Sequence, residues 1–168
     1  MLIPSTRKPL SAFVVRQTLL SPRESSKTIF LDEEDWSFRI VDYKGKAIEL
    51  NDLNDKPIFL SFWATWCPPC LAELPSIHKL YNRYHDQVNF IFISNESPEV
   101  VSRFMQKRGF MFPLYAIAGP VPNAFEISTI PANFLINKGG RLVLYKTGAA
   151  KWDSKKMFKL MDRLVKGE

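Results

Sequence analysis

Residues 58–70 read Ile-Phe-Leu-Ser-Phe-Trp-Ala-Thr-Trp-Cys-Pro-Pro-Cys, and they hold the only two cysteines of this 168-residue chain, Cys67 and Cys70. The apolar run at residues 58–62 is typical of a buried strand, and residues 71–84 have the apolar spacing of a helix. The cysteine pair therefore lies where a strand passes into a helix. The first turn of a helix offers unpaired N–H groups and the positive end of the helix dipole, and both stabilise an anionic sulfur.

This position favours redox chemistry for the two cysteines. A thiolate is the nucleophile in disulfide exchange, and the thiol of Cys70 is placed to resolve a mixed disulfide formed at Cys67. A structural bridge is a weaker explanation, because closing a four-residue loop contributes only about 2 kcal/mol. The alternative is half of a zinc site completed by His78 and His85. We disfavour it because the chain has no second cysteine pair.

The composition indicates an ordinary globular protein, with 46% hydrophobic residues and a net charge of +6. The positive charge is concentrated in residues 138–166, where nine Lys and Arg residues stand against Asp153 and Asp162. Nucleic acid, anionic lipid or an acidic protein are the partners such a segment can attract. The chain has no nucleic-acid-binding motif, so we expect no nucleic-acid partner and interpret the charges as a solvated helix face and hairpin.

Residues 1–30 are predicted to be a leader and linker, and residues 31–168 a single domain. Residues 10–20 have a short amphipathic pattern, and the polar residues 21–26 have linker composition. Residues 1–8 pass from apolar to basic, as at the exit from a hydrophobic segment, and we expect a membrane anchor upstream of them. The basic flank argues against that expectation for a domain that faces the periplasm, since positive flanks favour the cytoplasmic side.

The remaining pattern alternates strands with helices, which is typical of an α/β fold. The crossover between the apolar strands at residues 58–63 and 88–94 is long enough for a right-handed parallel unit. Predicted strands cover residues 36–41, 46–50, 58–63, 88–94, 112–116, 132–136 and 141–147. Predicted helices cover residues 68–85 (bent near Pro75), 98–108 (capped by Ser97) and 153–165.

Four motifs carry a resemblance to a known family: Phe62-Trp63-Ala64-Thr65-Trp66-Cys67-Pro68-Pro69-Cys70, Glu73-Leu74-Pro75, Thr129-Ile130-Pro131 and Phe134-Leu135-Ile136-Asn137-Lys138-Gly139-Gly140. Over residues 36–165 the chain resembles thioredoxin-fold proteins, in particular the TlpA/ResA-like branch of membrane-tethered or exported thiol-disulfide oxidoreductases. The resemblance implies a central mixed sheet with helices on both faces. It also implies no cofactor other than a redox-active disulfide between Cys67 and Cys70.

Within the helix start, Cys67 is expected to be the exposed nucleophile and Cys70 the more buried resolving thiol. Pro68 and Pro69 lack N–H groups, so hydrogen bonding to the sulfur of Cys67 is predicted to depend mainly on the N–H of Cys70. We therefore expect a moderately lowered pKa for Cys67, which favours a reductant over a strong oxidant.

Three further residues are candidates for binding a substrate, together with Pro68 and Pro69. By the resemblance, the Ile130–Pro131 peptide bond is expected to be cis beside the cysteines, which directs the backbone of Ile130 toward an incoming polypeptide. Trp66 flanks Cys67 and is interpreted either as part of an apolar docking rim or as a half-buried packing residue.

Glu73 is the candidate for handling the proton of Cys70, because it lies about one helical turn farther along. Thioredoxins carry a buried aspartate on the central strand where this chain has Ser61, and a glutamate at the position of Glu73 is a feature of the ResA-like group. The alternative is a surface glutamate favoured in the first helical turns by the helix dipole.

The resulting prediction is an enzyme that reduces disulfides of extracytoplasmic proteins, by attack of Cys67 and resolution by Cys70. The resemblance implies a disulfide-containing protein substrate, a membrane thiol donor, a monomer and a periplasmic or extracytoplasmic location; cytochrome c maturation is one pathway it suggests. A net dithiol oxidase and a redox-inert or copper-delivering module stay open. A peroxidase is disfavoured because Thr65 lacks the spacing from cysteine that peroxiredoxins use.

Overall fold

The computed structural model describes residues 19–168, which contain seven strands and four α-helices. The strands are β1 (Arg39–Asp42), β2 (Ala47–Glu49), β3 (Ile58–Phe62), β4 (Asn89–Ile93), β5 (Leu114–Ile117), β6 (Ala132–Ile136) and β7 (Leu142–Thr147). The helices are α1 (Glu33–Trp36), α2 (Pro68–Tyr84), α3 (Pro98–Arg108) and α4 (Lys155–Lys166), with short 3-10 turns at Leu50–Leu53 and Asn123–Phe125.

The strands form one mixed sheet in the order β2-β1-β5-β4-β3-β6-β7. The interior strand β3 pairs parallel with the central strand β4 and antiparallel with β6, and it is buried along its whole length. The units β3-α2-β4 and β4-α3-β5 both join parallel neighbours and step across the sheet in the same direction. Because such crossovers are right-handed, α2 and α3 lie on the same face.

The sheet therefore separates two hydrophobic cores that are covered unequally. Residues of α2, α3 and α4 pack in one core with the side chain of Phe59 from β3. The neighbouring side chains Ile58 and Leu60 point into the other core, as the alternation of a strand requires. That second core is closed by residues around α1 and the two 3-10 turns. Elements thus cover both faces, as expected, but the three long helices share one of them.

Most predicted elements are present, with ends that differ by one or two residues, while the prediction of a strand starting at Trp36 is wrong. Trp36 is instead the last residue of α1, a helix whose start is fixed by a reciprocal capping box: the Asp35 N–H donates to Asp32 at 2.9 Å, and the Asp32 N–H donates to Asp35 at 3.1 Å. The strand β1 begins only at Arg39.

Residues 20–30 are bonded to the edge of the fold rather than separate from it. The Ser25 N–H donates to the Val143 carbonyl at 2.8 Å, and the Leu142 N–H donates to the Ile29 carbonyl at the same distance. Farther back, the Lys151 N–H donates to the Leu20 carbonyl at 2.9 Å. The predicted boundary at residue 30 therefore falls inside a segment that contacts β7.

The predicted amphipathic stretch at residues 10–20 and the basic flank at residues 1–8 lie almost wholly outside the described residues. From Leu19 onward, no helix combines the length and the apolar character needed to cross a membrane.

Candidate active site

The two cysteines form a disulfide at the start of α2, with their Cα atoms 5.3 Å apart. Cys67 is the N-cap residue, with extended backbone at φ −90° and ψ 104°, and Pro68 is the first helical residue. The Cys70 N–H donates to the Cys67 sulfur at 3.3 Å. The prediction that this N–H is the backbone donor to the sulfur is confirmed, because the two intervening prolines have none.

The exposure of the cysteines follows the predicted order but not the predicted degree. Cys70 is completely buried, and Cys67 keeps only 4% exposure. The expectation of an exposed Cys67 is wrong for this disulfide form, because Cys67 packs in the apolar core and its sulfur lies against the segment before Pro131. The Cys67 sulfur lies 3.8 Å from the Ile130 carbonyl oxygen. Of the two cysteines, only Cys67 has any exposed surface.

The Ile130–Pro131 peptide bond is cis, as the resemblance implied. Pro131 is buried directly before β6, and Ile130 is half-buried. This segment brings the Ile130 backbone against the Cys67 sulfur, at the position expected for a contact with a bound polypeptide.

Trp66 is 65% exposed, so the interpretation as a half-buried packing residue is wrong. Trp66, the residue before Cys67, lines a groove of about 200 Å³ together with Ile127 and Ile130. On another side, Pro69 borders a groove that it shares with residues of β7. The candidate binding residues thus surround the cysteine pair.

Glu73 is 1% exposed, which excludes the alternative of a surface glutamate. Its Oε1 accepts a hydrogen bond from Asn133 Nδ2 at 2.9 Å, and its Oε2 accepts from the Ala150 N–H at 3.1 Å and from Trp152 Nε1 at 2.9 Å. Burial raises the pKa of Glu73 to about 7, although these three hydrogen bonds and the charge of Lys146 all act to lower it. The carboxyl group can therefore gain or lose a proton near neutral pH.

The sequence analysis missed the partners of Glu73. Asn133 lies on β6 directly opposite Ser61 of β3, and both are buried polar residues in otherwise apolar strands. A single polar residue within the otherwise apolar run Ala132–Ile136 was the available signal. Trp152 gave no such signal, since a buried tryptophan before a helix is equally typical of plain packing.

A second carboxylate, Glu96, was also missed. It holds the loop that precedes Cys67: the Thr65 N–H donates to Glu96 Oε2 at 2.7 Å, and the Thr65 hydroxyl donates to Oε1 at 2.6 Å. The Ser94 hydroxyl donates to Oε2 at 3.2 Å. Nothing in the sequence distinguished Glu96 from other half-exposed glutamates.

The histidines of the zinc alternative lie away from the cysteines. His78 packs edge-on against Phe110 and Phe112, with ring centroids 5.1 and 5.6 Å apart. His85 follows the end of α2, with Nδ1 3.1 Å from Asp86 Oδ1. In residues 19–168 there is no group of three or more His, Cys, Asp or Glu side chains that could hold a metal ion.

Comparison with known proteins agrees with this arrangement. The sequence model of the AhpC/TSA family matches residues 33–145. A protein of Halalkalibacterium halodurans named thiol-disulfide oxidoreductase ResA is 40% identical over 119 residues, which cover 69% of this chain and 68% of that protein. The Bacillus subtilis protein of the same name is 38% identical over 67% of this chain and 64% of its own length.

Among solved structures, StoA from Bacillus subtilis superposes with a TM-score of 0.57 at 26% identity. The superposition covers 74% of this chain and 93% of the StoA chain.

Proposed function

The chain belongs to the AhpC/TSA family and is a thiol-disulfide oxidoreductase of the ResA type, and from this premise we propose that it reduces disulfide bonds in other proteins. The observation that carries the proposal is the position of Cys67 as N-cap of α2, with the Cys70 N–H directed at its sulfur. Cys67 is the attacking residue and Cys70 the resolving one.

The reaction starts from the dithiol form. The Cys67 thiolate attacks one sulfur of a substrate disulfide; that bond breaks, a mixed disulfide forms, and the other substrate sulfur leaves as a thiolate that takes up a proton. The Cys70 thiol then loses its proton, and its sulfur attacks the Cys67 sulfur and releases the second substrate thiolate. Two electrons have passed to the substrate, and the protein is left with the Cys67–Cys70 disulfide.

The residues at the start of α2 stabilise the thiolate of Cys67 only moderately. The helix dipole and the Cys70 N–H stabilise the thiolate. Pro68 and Pro69 remove the other backbone donors of the first turn. A thiolate stabilised to this degree remains a strong nucleophile, since nucleophilicity falls as the pKa of the thiol falls.

Glu73 accepts the proton of Cys70 in the resolving step. Cys70 is completely buried, so water cannot remove its proton directly. Glu73 lies one helical turn farther along, is equally enclosed, and has a pKa of about 7. A carboxyl group with this pKa takes up a proton and releases it again at neutral pH.

Substrate binding is assigned to the surface around the disulfide. The Ile130 backbone before cis-Pro131 lies against the Cys67 sulfur and pairs with an extended substrate segment. The exposed ring of Trp66 forms an apolar rim, and Pro68 and Pro69 bound the other side.

The physiological setting follows from the TlpA/ResA-like resemblance. We place the protein outside the cytoplasm as a monomer, with an N-terminal membrane anchor, no cofactor beyond its own disulfide, and a membrane thiol donor that returns it to the dithiol form. Cytochrome c maturation is the pathway that this setting suggests.

The test is reduction of insulin disulfides by the dithiol form. The wild-type protein is expected to be active, Cys67→Ser inactive, and Cys70→Ser is expected to accumulate a mixed disulfide through Cys67. Equilibration with glutathione decides the direction: a potential near about −270 mV supports a reductant, and one near about −120 mV makes the protein an oxidant. Tight Cu(I) binding without insulin reduction would overturn the proposal in favour of a copper-delivery module.

A further inference from the structure

The surroundings of Glu73 suit its charged form and leave its neutral form short of a partner. All three contacting groups, Asn133 Nδ2, the Ala150 N–H and Trp152 Nε1, act as donors in the structure. A carboxylate accepts from all of them. A carboxylic acid carries an O–H that needs an acceptor, because a buried donor without one is costly.

The contacts determine which oxygen can take the proton. Oε2 already faces two groups that can only donate, the backbone N–H of Ala150 and the indole of Trp152. A proton on Oε2 would face the hydrogens of both donors. Oε1 faces Asn133 alone, at 2.9 Å, so the proton belongs there.

Asn133 is the partner that can change its role. Its amide has a donor end and an acceptor end, and the acceptor end, Oδ1, is buried and has no hydrogen-bond partner in residues 19–168. Asn133 itself is completely buried on β6, opposite Ser61. An unused buried acceptor on the side chain that contacts Oε1 calls for an explanation.

We propose that Asn133 is a positioning residue that holds Glu73 in both protonation states, donating from Nδ2 to the carboxylate and, after the amide turns over, accepting at Oδ1 from the carboxylic acid. The inference rests on the proposed function in taking Cys70 as the source of the proton. As the proton moves from the Cys70 sulfur to Glu73 Oε1, the amide turns; as Glu73 releases the proton, the amide turns back.

The other groups that act on Glu73 do not explain a change of the Asn133 amide that accompanies the titration of Glu73. Lys146, on β7, acts on Glu73 through its charge, and its Nζ donates to the Thr147 carbonyl rather than to the carboxyl group. Cys70, on the same helix, has no proton to exchange while it is bonded to Cys67. In the disulfide form, titration near neutral pH therefore reports on Glu73 itself.

The experiment is NMR of the disulfide form from pH 5 to pH 9, following the Glu73 carboxyl carbon and the Asn133 side-chain amide. Both are expected to change with one midpoint near pH 7, and the contacts of the two Asn133 amide protons are expected to differ between the two limits. The Asn54 amide, which donates to Asn51 Oδ1 at 2.9 Å, is the internal control and stays constant. A Glu73 titration that leaves the Asn133 amide unchanged would overturn the proposal.

Asn133→Leu supplies a second measurement. It removes both ends of the amide, and the carboxylate loses more than the acid because hydrogen bonds to charged groups are the stronger ones. We expect the pKa of Glu73 to rise by about one pH unit, a tenfold change in proton affinity. An unchanged pKa in this variant contradicts the proposal, and should the variant not fold, the wild-type titration decides alone.

The two proposals fail separately. A coupled response of Glu73 and Asn133 in a protein that does not reduce insulin would remove the proposed function and leave the paired titration standing. Insulin reduction with a fixed Asn133 amide would remove only the inference.

Discussion

Glu73 and Glu96 each accept three hydrogen bonds beside the same disulfide, yet their surroundings differ. Glu73 is enclosed in the core behind Cys70, with 1% exposure. Glu96 is half-buried and is bonded to Thr65, in the loop that leads to Cys67. The number of hydrogen bonds is therefore not what separates the two carboxylates.

The difference in burial suits the two carboxyl groups to different roles. For Glu73 the loss of solvation outweighs three donors and raises the pKa to about 7, so the group is suited to exchanging a proton. Glu96 accepts two of its three hydrogen bonds from one residue, Thr65, one from the backbone N–H and one from the hydroxyl. That arrangement fixes a loop and is suited to positioning.

The largest expected effect is on stability as a function of pH. The folded protein holds the proton of Glu73 more tightly than the unfolded chain, since its pKa is about 7 against an ordinary value of 4.5. This contribution is fully present below pH 4.5 and is lost as the pH rises through 7, and it amounts to about 3 kcal/mol. In Glu73→Gln the loss is absent. Urea unfolding at several pH values measures it as the difference between the two curves.

Glu99→Gln is the matched control for that experiment, because Glu99 is an exposed glutamate in the first turn of α3. Its unfolding curve is expected to run parallel to that of the wild type above pH 5, because a backbone hydrogen bond lowers the pKa of Glu99 and keeps it ionised in that range. If Glu73→Gln also runs parallel to the wild type, the comparison between an enclosed and a half-exposed carboxylate fails.

The next effect is on the rate of disulfide exchange. Without a proton acceptor for Cys70, Glu73→Gln is expected to slow the resolving step roughly 100-fold at pH 7. The pH profile should also lose its inflection near 7. Stopped-flow measurement of the decay of a mixed disulfide at Cys67 gives both quantities. An unchanged profile would return Glu73 to a purely structural role.

Much of the fold follows from local patterns in the sequence. The apolar run of β3, the proline after Ser97 and the glycine at Gly109 are short-range signals, and α3 starts and ends where they predict. The capping box at Asp32 was overlooked because the apolar residues around Trp36 also fit a strand. At Trp36 the apolar pattern fits both a helix and a strand, and the side-chain hydrogen bonds of the capping box favour the helix.

The site is less predictable than the fold because it is assembled from distant segments. Cys67, Cys70 and Glu73 lie within one helix start and were identified from spacing. Asn133 and Trp152 reach Glu73 across 60 and 79 positions of the chain, and no local pattern encodes those contacts. Burial of Cys67 likewise depends on the segment at Ile130, which only the folded sheet brings alongside.

A smaller effect is expected for Glu96→Ala. The Thr65 N–H loses a charged acceptor, and since Thr65 is only half-buried, water replaces part of the bond, which leaves a loss of about 1 kcal/mol in unfolding free energy. Thr65→Val is the matched partner, because it removes the hydroxyl bond and keeps the backbone one. A shift of the Glu73 midpoint in either variant would contradict the separation of tasks between the two carboxylates.

The smallest expected effect is that of the Lys146 charge on the pKa of Glu73. Lys146 lowers the pKa of Glu73 through its charge, and it is the weakest of the contributions that do so. Lys146→Met is therefore expected to move the midpoint of the Glu73 carboxyl signal slightly upward, because the carboxylate loses a nearby cation. Lys151→Met, at an exposed lysine, is the control and leaves the midpoint in place. Added salt should reduce the difference between Lys146→Met and the wild type, since Lys146 is partly exposed and its charge is screened. Equal midpoints at low salt would mean that burial and the three hydrogen bonds alone set the pKa of Glu73.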